Sequence, residues 1–262
     1  MSGTVRVGTS GWSYPHWRKG AFYPEGLPQR AEAHYARASF PTLELNATFY
    51  RLPTPGTVAK WRDEAPAGFT YAAKGSRFIT HLKRLANLGD GVDNYVARIA
   101  PLAPVMAVVL WQLPPDLELD LPRLTDFLDH VADRFAAVDT RHAVEFRHPS
   151  WLRDDVYAAL AERDVANTWI SSLRMPFAPV ATTDLVYVRF HGLEGGFSHP
   201  YTDDELAPFV AATVAHAEAG VEAYVYFNND GAGMAPRDAF RFQELVGPEL
   251  AVPAPADPAE VA

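Results

Sequence analysis

Charged and apolar side chains alternate at the ends of several segments that are typical of buried strands. In residues 143–148 (AVEFRH), valine and phenylalanine alternate with Glu145 and Arg147, and the same alternation places Glu44 and Arg189 in two other apolar segments. A charged side chain buried against a sheet is energetically costly unless it pairs with an opposite charge or binds a ligand. Arginine binds phosphate or carboxylate bidentately, and a carboxylate beside cations can transfer protons. The pattern therefore predicts a site for an anionic ligand.

The elements that must position these residues follow a regular order along the chain. Strand patterns occur at residues 5–8, 42–48, 69–74, 106–113, 142–147, 166–171, 185–191 and 222–228. Strands that alternate with helical patterns indicate parallel βαβ units. Eight units in about 245 residues predict a closed (β/α)8 barrel of the TIM type, an α/β fold. An open doubly wound sheet is the alternative, although residues 8–12 (GTSGW) lack the glycine spacing of a dinucleotide fingerprint.

The chain is predicted to form one barrel domain over residues 1–247. Residues 248–262 are rich in proline and alanine and have no hydrophobic periodicity. Such a composition cannot bury enough apolar surface to order itself, so we expect a disordered tail.

Composition limits the classes of function. The 262 residues include 23 basic and 32 acidic side chains, a net charge of −9, which disfavours wholesale wrapping of nucleic acid or binding to an anionic membrane. The absence of cysteine excludes disulfides, a thiol nucleophile and thiolate metal ligands. Because no apolar run reaches membrane-spanning length, we expect a cytoplasmic protein without a membrane partner.

The candidate site residues lie where barrel strands end. Active sites of these barrels are built at the carboxyl ends of the strands, and alternation with a period of two identifies the inward side chains. Glu145, Glu44 and His191 are the catalytic candidates. The substrate-binding candidates on or just after strands are Lys74, Arg147, Arg189, Asn46, Gln112, Asn228 and Asp230. The alternative interpretation is a structural ion network that only neutralises itself.

Two loops add candidates on the same face. Residues 74–84 (KGSRFITHLKR) are basic, and Arg77 and His81 there could bind phosphate. Residues 12–23 hold five aromatic side chains, of which Trp12 could stack on a base or a sugar. The aromatic loop could equally pack against the barrel as a local core. A third loop, residues 191–201, could be a lid because Gly195 and Gly196 give it freedom.

Several blocks of the chain together resemble the YecE-like family, domain of unknown function 72. They are residues 8–12 (GTSGW), 44–50 (ELNATFY), Lys74 with Arg77, 79–81 (ITH), 143–151 (AVEFRHPSW), 187–192 (YVRFHG) and 226–230 (YFNND). The resemblance spans residues 5–245. It implies a TIM-type barrel in a bacterial or archaeal cytoplasmic protein and implies no particular reaction.

Three functional hypotheses remain open. The first is an enzyme, hydrolase-like, that acts on a phosphorylated or otherwise anionic small molecule or nucleotide with a carboxylate as general acid or base. The second is a metal-assisted phosphodiesterase or nuclease acting on DNA or RNA. The third is a non-catalytic module that binds an anion or a partner protein. No cofactor is predicted, and a divalent metal ion belongs only to the second hypothesis, since no His-Glu-x-x-His motif is present.

Overall fold

Eight parallel strands close into a barrel in the computed structural model, which describes residues 2–256 and 258. Each strand pairs with the next, and β8 closes the barrel by pairing with β1. The predicted (β/α)8 barrel is therefore confirmed. The strands are β1 (Val5–Ser10), β2 (Thr42–Leu45), β3 (Thr70–Lys74), β4 (Met106–Gln112), β5 (Arg141–Glu145), β6 (Val165–Ser171), β7 (Leu185–Phe190) and β8 (Glu222–Phe227).

Helices surround the barrel, and within the described chain none of them follows β6, where residues 172–184 form an irregular connection. Among the described residues, no helix is both long enough and apolar enough to cross a membrane. The helices are α1 (Glu32–Ser39), α2 (Ala47–Tyr50), α3 (Pro55–Asp63), α4 (Gly91–Ile99), α5 (Leu121–Phe135), α6 (Asp154–Ala161), α7 (Asp203–Glu218) and α8 (Met234–Val246).

Helix α5 illustrates how the sequence specifies the outer layer. Asp120 caps the helix by accepting a hydrogen bond from Arg123 N at 3.1 Å. Five apolar side chains form one stripe that faces the barrel, and burying each contributes about 1.5–3 kcal/mol relative to exposure. They are Leu124, Phe127, Leu128, Val131 and Phe135.

The barrel interior is a packed cluster of its own, as expected for a barrel of this size. Alternate side chains of the strands point inward and combine three tyrosines with several small residues. The Tyr187 and Tyr226 rings lie 5.2 Å apart, and Tyr226 Oη is 2.6 Å from Thr42 Oγ1. The cluster fills the barrel towards the amino ends of the strands, and the polar inward side chains lie nearer the carboxyl ends. Its members are Ala72, Val108, Leu110, Ala143, Ala166, Leu185, Tyr187, Tyr224 and Tyr226.

Several strands end before the positions that alternation predicts. Strand β2 ends at Leu45 rather than at residue 48, because Thr48 Oγ1 donates a hydrogen bond to Leu45 O at 2.7 Å within the turn that forms α2. Strands β5, β7 and β8 likewise end at Glu145, Phe190 and Phe227. The side chains predicted to lie at these strand ends therefore start the loops at the mouth of the barrel.

The segment after α8 returns to the start of β1. Strand β2 pairs with β1 only from Gly8 onward, so the edge beside Val5 is available. Val5 N donates to Leu250 O and Val252 N donates to Val5 O, each at 2.9 Å. The prediction of a disordered tail from residue 248 is therefore wrong at residues 250–252. Residues 257 and 259–262 of that predicted tail lie outside the described residues.

Candidate functional site

A cavity of about 520 Å³ opens at the carboxyl ends of the barrel strands. Nine of the thirteen residues predicted for the site line it, and they come from the ends of six strands and from the loop after β3. These nine are Asn46, Lys74, Arg77, His81, Gln112, Arg147, His191, Asn228 and Asp230. The remaining four, Glu44, Glu145, Arg189 and Trp12, take other positions, so the cavity differs from the predicted site in its charge.

An ion network with Arg189 at its centre lies directly beneath the cavity. The Arg189 side chain is 0% exposed, with Nη2 2.7 Å from Glu44 Oε1 and Nη1 2.5 Å from Glu145 Oε2. Ser10 Oγ accepts a further hydrogen bond from Nη2 at 3.1 Å. The position of Arg189 does not support its predicted substrate-binding role, because its guanidinium is enclosed by the two carboxylates and it is not among the residues that line the cavity.

Glu44 is also closed off from the cavity. Its Oε1 accepts hydrogen bonds from Arg189 and Ser10, and its Oε2 accepts one from Tyr187 Oη at 2.7 Å. Burial raises the pKa of Glu44, but Arg189 and Lys74 more than offset this effect, so its pKa lies below the usual value. The position of Glu44 does not support its predicted catalytic role, since both oxygens are occupied within the fully buried network.

Glu145 lies behind two cavity residues instead of in the cavity. Its Oε1 is 3.2 Å from Arg147 Nε and 3.1 Å from His191 Nε2. Burial raises the pKa of Glu145, but Arg189, His191 and Arg147 together lower it well below the usual value. A carboxylate held ionised in this way cannot serve as a general acid at neutral pH. Its geometry suits the positioning of Arg147 and His191.

His191 is a neutral imidazole at the edge of the cavity. Its Nε2 lies 3.1 Å from Glu145 Oε1 and 3.4 Å from Arg189 Nη1, and its Nδ1 lies 3.3 Å from Asn228 Nδ2. Burial lowers the pKa of His191 to about 4, against the opposing effect of Glu145. The neutral ring therefore lies between Glu145 and Arg189 on one side and Asn228 on the other.

Lys74 is the cavity amine. Its Nζ lies 4.4 Å from the centroid of the Phe49 ring. Among residues 2–256 and 258, no hydrogen bond or ion pair within 4 Å engages this Nζ. Burial, followed by the charge of Arg189, lowers the pKa of Lys74 to about 7, although Glu44 and Glu145 oppose the shift. At neutral pH a large fraction of this amine is therefore unprotonated.

The loop after β3 contributes Arg77 and His81 through a π-helical turn over Phe78–Leu82. Thr80 Oγ1 lies 2.9 Å from His81 Nδ1, and the His81 ring meets the Phe49 ring edge-on with centroids 4.9 Å apart. Burial and the charge of Lys74 lower the pKa of His81 to about 4. The basic segment predicted to grip phosphate thus provides one permanent cation, Arg77, and one neutral imidazole at the cavity.

The aromatic loop after β1 packs mostly against the barrel. Trp12 is partly exposed and lies against Trp61 and Tyr71 at centroid distances of 6.3 and 6.5 Å. Trp12 is not among the residues that line the cavity, as its predicted substrate-binding role requires, and Tyr14 from the same loop lines the cavity instead. Tyr14 Oη donates to Ser10 O at 2.7 Å, which holds the loop against the end of β1.

Sequence reasoning missed several residues of the site. Ser10 and Tyr187 belong to the buried network, and their inward position follows from the alternation that identified Glu44 and Arg189. Phe49 and Tyr50 line the cavity within the block ELNATFY, but the turn that aims them follows from the early end of β2. Phe197, from the glycine-containing loop after β7, completes the lining and is 60% exposed.

The carboxylates of the site are distributed unevenly. Asp230 is the one acidic residue among the described lining residues, and its Oδ2 lies 3.7 Å from His16 Nε2. No group of three or more His, Asp and Glu side chains is arranged to hold a metal ion within residues 2–256 and 258. Glu145 and His191, whose side chains are of types that bind divalent metal ions, both contact cationic guanidiniums.

Comparisons with known proteins agree with the fold. The family model described as "Protein of unknown function DUF72" matches residues 6–260. The UPF0759 protein YecE of Escherichia coli K12 is 32% identical over 149 residues, and the match covers 56% of this chain and half the length of that relative. The UPF0759 protein YunF of Bacillus subtilis is 23% identical, over 96% of this chain and 98% of its own length.

A crystal structure provides the corresponding three-dimensional comparison. A DUF72 family protein from Thermotoga maritima superposes with a TM-score of 0.82 at 27% identity. The superposition covers 93% of this chain and 99% of that protein. The barrel described above is thus similar to an experimentally determined one over nearly its full length.

Proposed function

The chain belongs to the DUF72 family, and from the geometry of the cavity we propose that it is an enzyme that acts on a phosphorylated or otherwise anionic small molecule. The site lies at the carboxyl end of the barrel, where enzymes of this architecture bind their substrates. The cavity, at about 520 Å³, is of the size that small-molecule sites have.

The observation that carries the proposal is the separation of charges in the site. Arg77, Arg147 and Lys74 face the cavity, whereas Glu44 and Glu145 lie beneath it and are paired with Arg189. The lining thus carries two permanent cations, Arg77 and Arg147, against the carboxylate of Asp230, in a chain whose net charge is −9. Arginine forks in a confined site favour phosphate and carboxylate groups, because they bind them bidentately.

The arrangement of His191 and Lys74 favours catalysis over binding alone. A binding module needs cations but has no need of a cavity amine with a lowered pKa or of an imidazole held by a buried carboxylate. We propose that His191 and Lys74 take part in proton transfer and that Glu145 positions His191. Glu145 stays ionised behind the cavity, so a group other than Glu145 must donate the proton in the expected hydrolytic reaction.

Isothermal titration calorimetry with inorganic phosphate and pyrophosphate tests the anion site. Arg147→Met should weaken binding by roughly tenfold or more, since a hydrogen bond to a charged group contributes about 1.5–3 kcal/mol. Arg62→Met is the matched control, because Arg62 lies on α3 and bonds to the neighbouring Asp63. Equal affinity in the wild type and in Arg147→Met, or no binding to the wild type at millimolar concentrations, would contradict the proposal.

A further inference from the structure

We propose that Lys74 is a nucleophile whose Nζ forms an imine with the carbonyl carbon of an anionic aldehyde or ketone bound in the cavity. The inference deepens the proposed function and rests on it, because the anionic group of the substrate would be held by the arginines of the same site. The substrate class is then a carbonyl compound that carries a phosphate or a carboxylate group.

The first argument is the absence of a partner for the amine. The two neighbouring guanidiniums are engaged, with Arg189 between two carboxylates and Arg147 3.2 Å from Glu145 Oε1. Lys74 Nζ, in contrast, makes no hydrogen bond or ion pair within the described chain and faces the Phe49 ring. An aromatic face accommodates the cation without occupying the nitrogen lone pair that appears when the proton leaves.

The second argument is that the environment favours the unprotonated amine. Lysine becomes nucleophilic when it is desolvated or placed beside another cation. Both conditions hold here, because the Lys74 side chain is partly buried and the charges of Arg189 and Arg147 act on it. These are the causes that lower the pKa of Lys74 to about 7.

The third argument is that the main chain at Lys74 is held in place. Its carbonyl oxygen accepts a hydrogen bond from the fully buried Tyr95 Oη at 3.0 Å and lies 2.6 Å from Thr48 Oγ1, whose one hydroxyl proton it shares with Leu45 O. A β-carbon at the next position, Gly75, would overlap the Trp111 ring, so glycine allows the chain to pass close to β4. Such anchoring of a strand end fixes the origin of the side chain that carries the amine.

The chemical step balances without an added reagent. The lone pair of the neutral amine attacks the carbonyl carbon, the C=O π bond breaks towards oxygen, and a carbinolamine forms. The two hydrogens that leave nitrogen depart with that oxygen as water, and the C=N bond takes the place of the C=O bond. Nothing is oxidised or reduced. Once the imine is protonated, it withdraws electrons from the adjacent carbon more strongly than the original carbonyl group did.

Pyridoxal 5′-phosphate is a suitable probe, because it joins an aldehyde to a phosphate group. The chain contains four lysines, Lys19, Lys60, Lys74 and Lys83, so borohydride reduction and peptide mass spectrometry of the full chain can follow all of them. At pH 7 we expect Lys74 to be labelled at least about tenfold faster than the other lysines, since its unprotonated fraction is larger. Labelling at Lys74 no faster than at the other three overturns the proposal.

Variants provide a second line of evidence. Lys74→Met should remove the fast phase of imine formation that absorbance detects, and Lys83→Met should retain it, because Lys83 lies outside the cavity against the exposed ring of Phe78. Lys74→Arg conserves the charge and should also lack the fast phase. If the fast phase persists in both Lys74 variants, the proposal fails. Mapping of the wild-type chain remains decisive even where a variant does not fold.

Failure of this inference can be distinguished from failure of the anion site. Two measurements separate these outcomes. One compares the labelling rate of Lys74 by pyridoxal, which lacks the phosphate group, with that by pyridoxal 5′-phosphate, and the other asks whether inorganic phosphate slows the labelling. If both aldehydes label Lys74 equally fast and phosphate does not protect it, the amine proposal stands and the anion site fails. If calorimetry detects phosphate binding but neither aldehyde labels Lys74 preferentially, the anion site stands and the amine proposal fails.

Discussion

Arg189 on β7 and Glu44 on β2 meet across the interior of the barrel, with Arg189 Nη2 2.7 Å from Glu44 Oε1. The two strands are separated by β8 and β1, so the pair joins distant parts of the barrel wall. Glu145 on β5 binds the other terminal nitrogen of the same guanidinium. One buried cation therefore joins three strands beneath the cavity. Of the cationic side chains that line the cavity, Arg147 also contacts Glu145, whereas Lys74 and Arg77 have no carboxylate partner among the described residues.

Arg189→Met should lower the free energy of unfolding by about 3–5 kcal/mol, because it leaves two ionised carboxylates buried without their main partner. Urea denaturation at pH 7 measures the change. Adding Glu145→Gln to Arg189→Met should recover part of the loss, since one unpaired charge is removed. Arg241→Met is the control: it removes an exposed ion pair with Asp203 and should change stability far less. Similar losses in both single variants would refute a structural role for the buried network.

The stability of the protein should depend on pH through Lys74. The pKa of Lys74 is about 7 in the folded chain and 10.5 for an ordinary lysine, so the unfolded state binds more protons between these values. The contribution of Lys74 to the free energy of unfolding therefore rises as pH increases from 7 to 10, by up to about 1.4 kcal/mol per pH unit. Lys74→Met should remove this slope and be more stable than the wild type at pH 7.

Urea denaturation at pH 7, 8 and 9 measures this pH dependence in the wild type and the variant. Lys60→Met is the control, since Lys60 is exposed on α3. Identical slopes in the wild type and in Lys74→Met would show that the amine titrates as an ordinary lysine.

Gly75→Ala should destabilise the protein by about 1–3 kcal/mol, because the added methyl group overlaps the fully buried Trp111 ring. Gly56→Ala on α3 is the matched control, since a β-carbon there meets nothing within 4 Å and alanine favours a helix by roughly 0.5–1 kcal/mol. Thermal unfolding compares the two variants. The anchoring of the Lys74 main chain would need another explanation if both substitutions had the same effect.

Alternation along the strands predicted the fold and the side chains that point into the barrel. It could not predict how far below the cavity each of these side chains lies. Arg147 and Arg189 both have the inward parity, yet Arg189 lies one layer deeper and is enclosed by carboxylates, whereas Arg147 reaches the cavity. Parity determines which face a side chain takes. Whether that side chain meets solvent or a neighbour depends on the tilt and stagger of all eight strands, which no single segment encodes.

The loops show a second limit of sequence reasoning. Both Trp12 and Tyr14 are aromatic and close to the end of β1, and only tertiary contacts decide that Trp12 packs against Trp61 while Tyr14 reaches the cavity. The tail shows the same limit, since residues 250–252 have no periodicity of their own. They are ordered by hydrogen bonds to Val5, at the start of β1, where β2 does not pair with β1.

The return of residues 250–252 to Val5 covers part of the edge of β1 at the rim opposite the cavity. An uncovered strand edge presents unpaired N–H and C=O groups that can pair with another chain. Removal of residues 250–252 should therefore expose this edge and favour self-association at the rim away from the cavity.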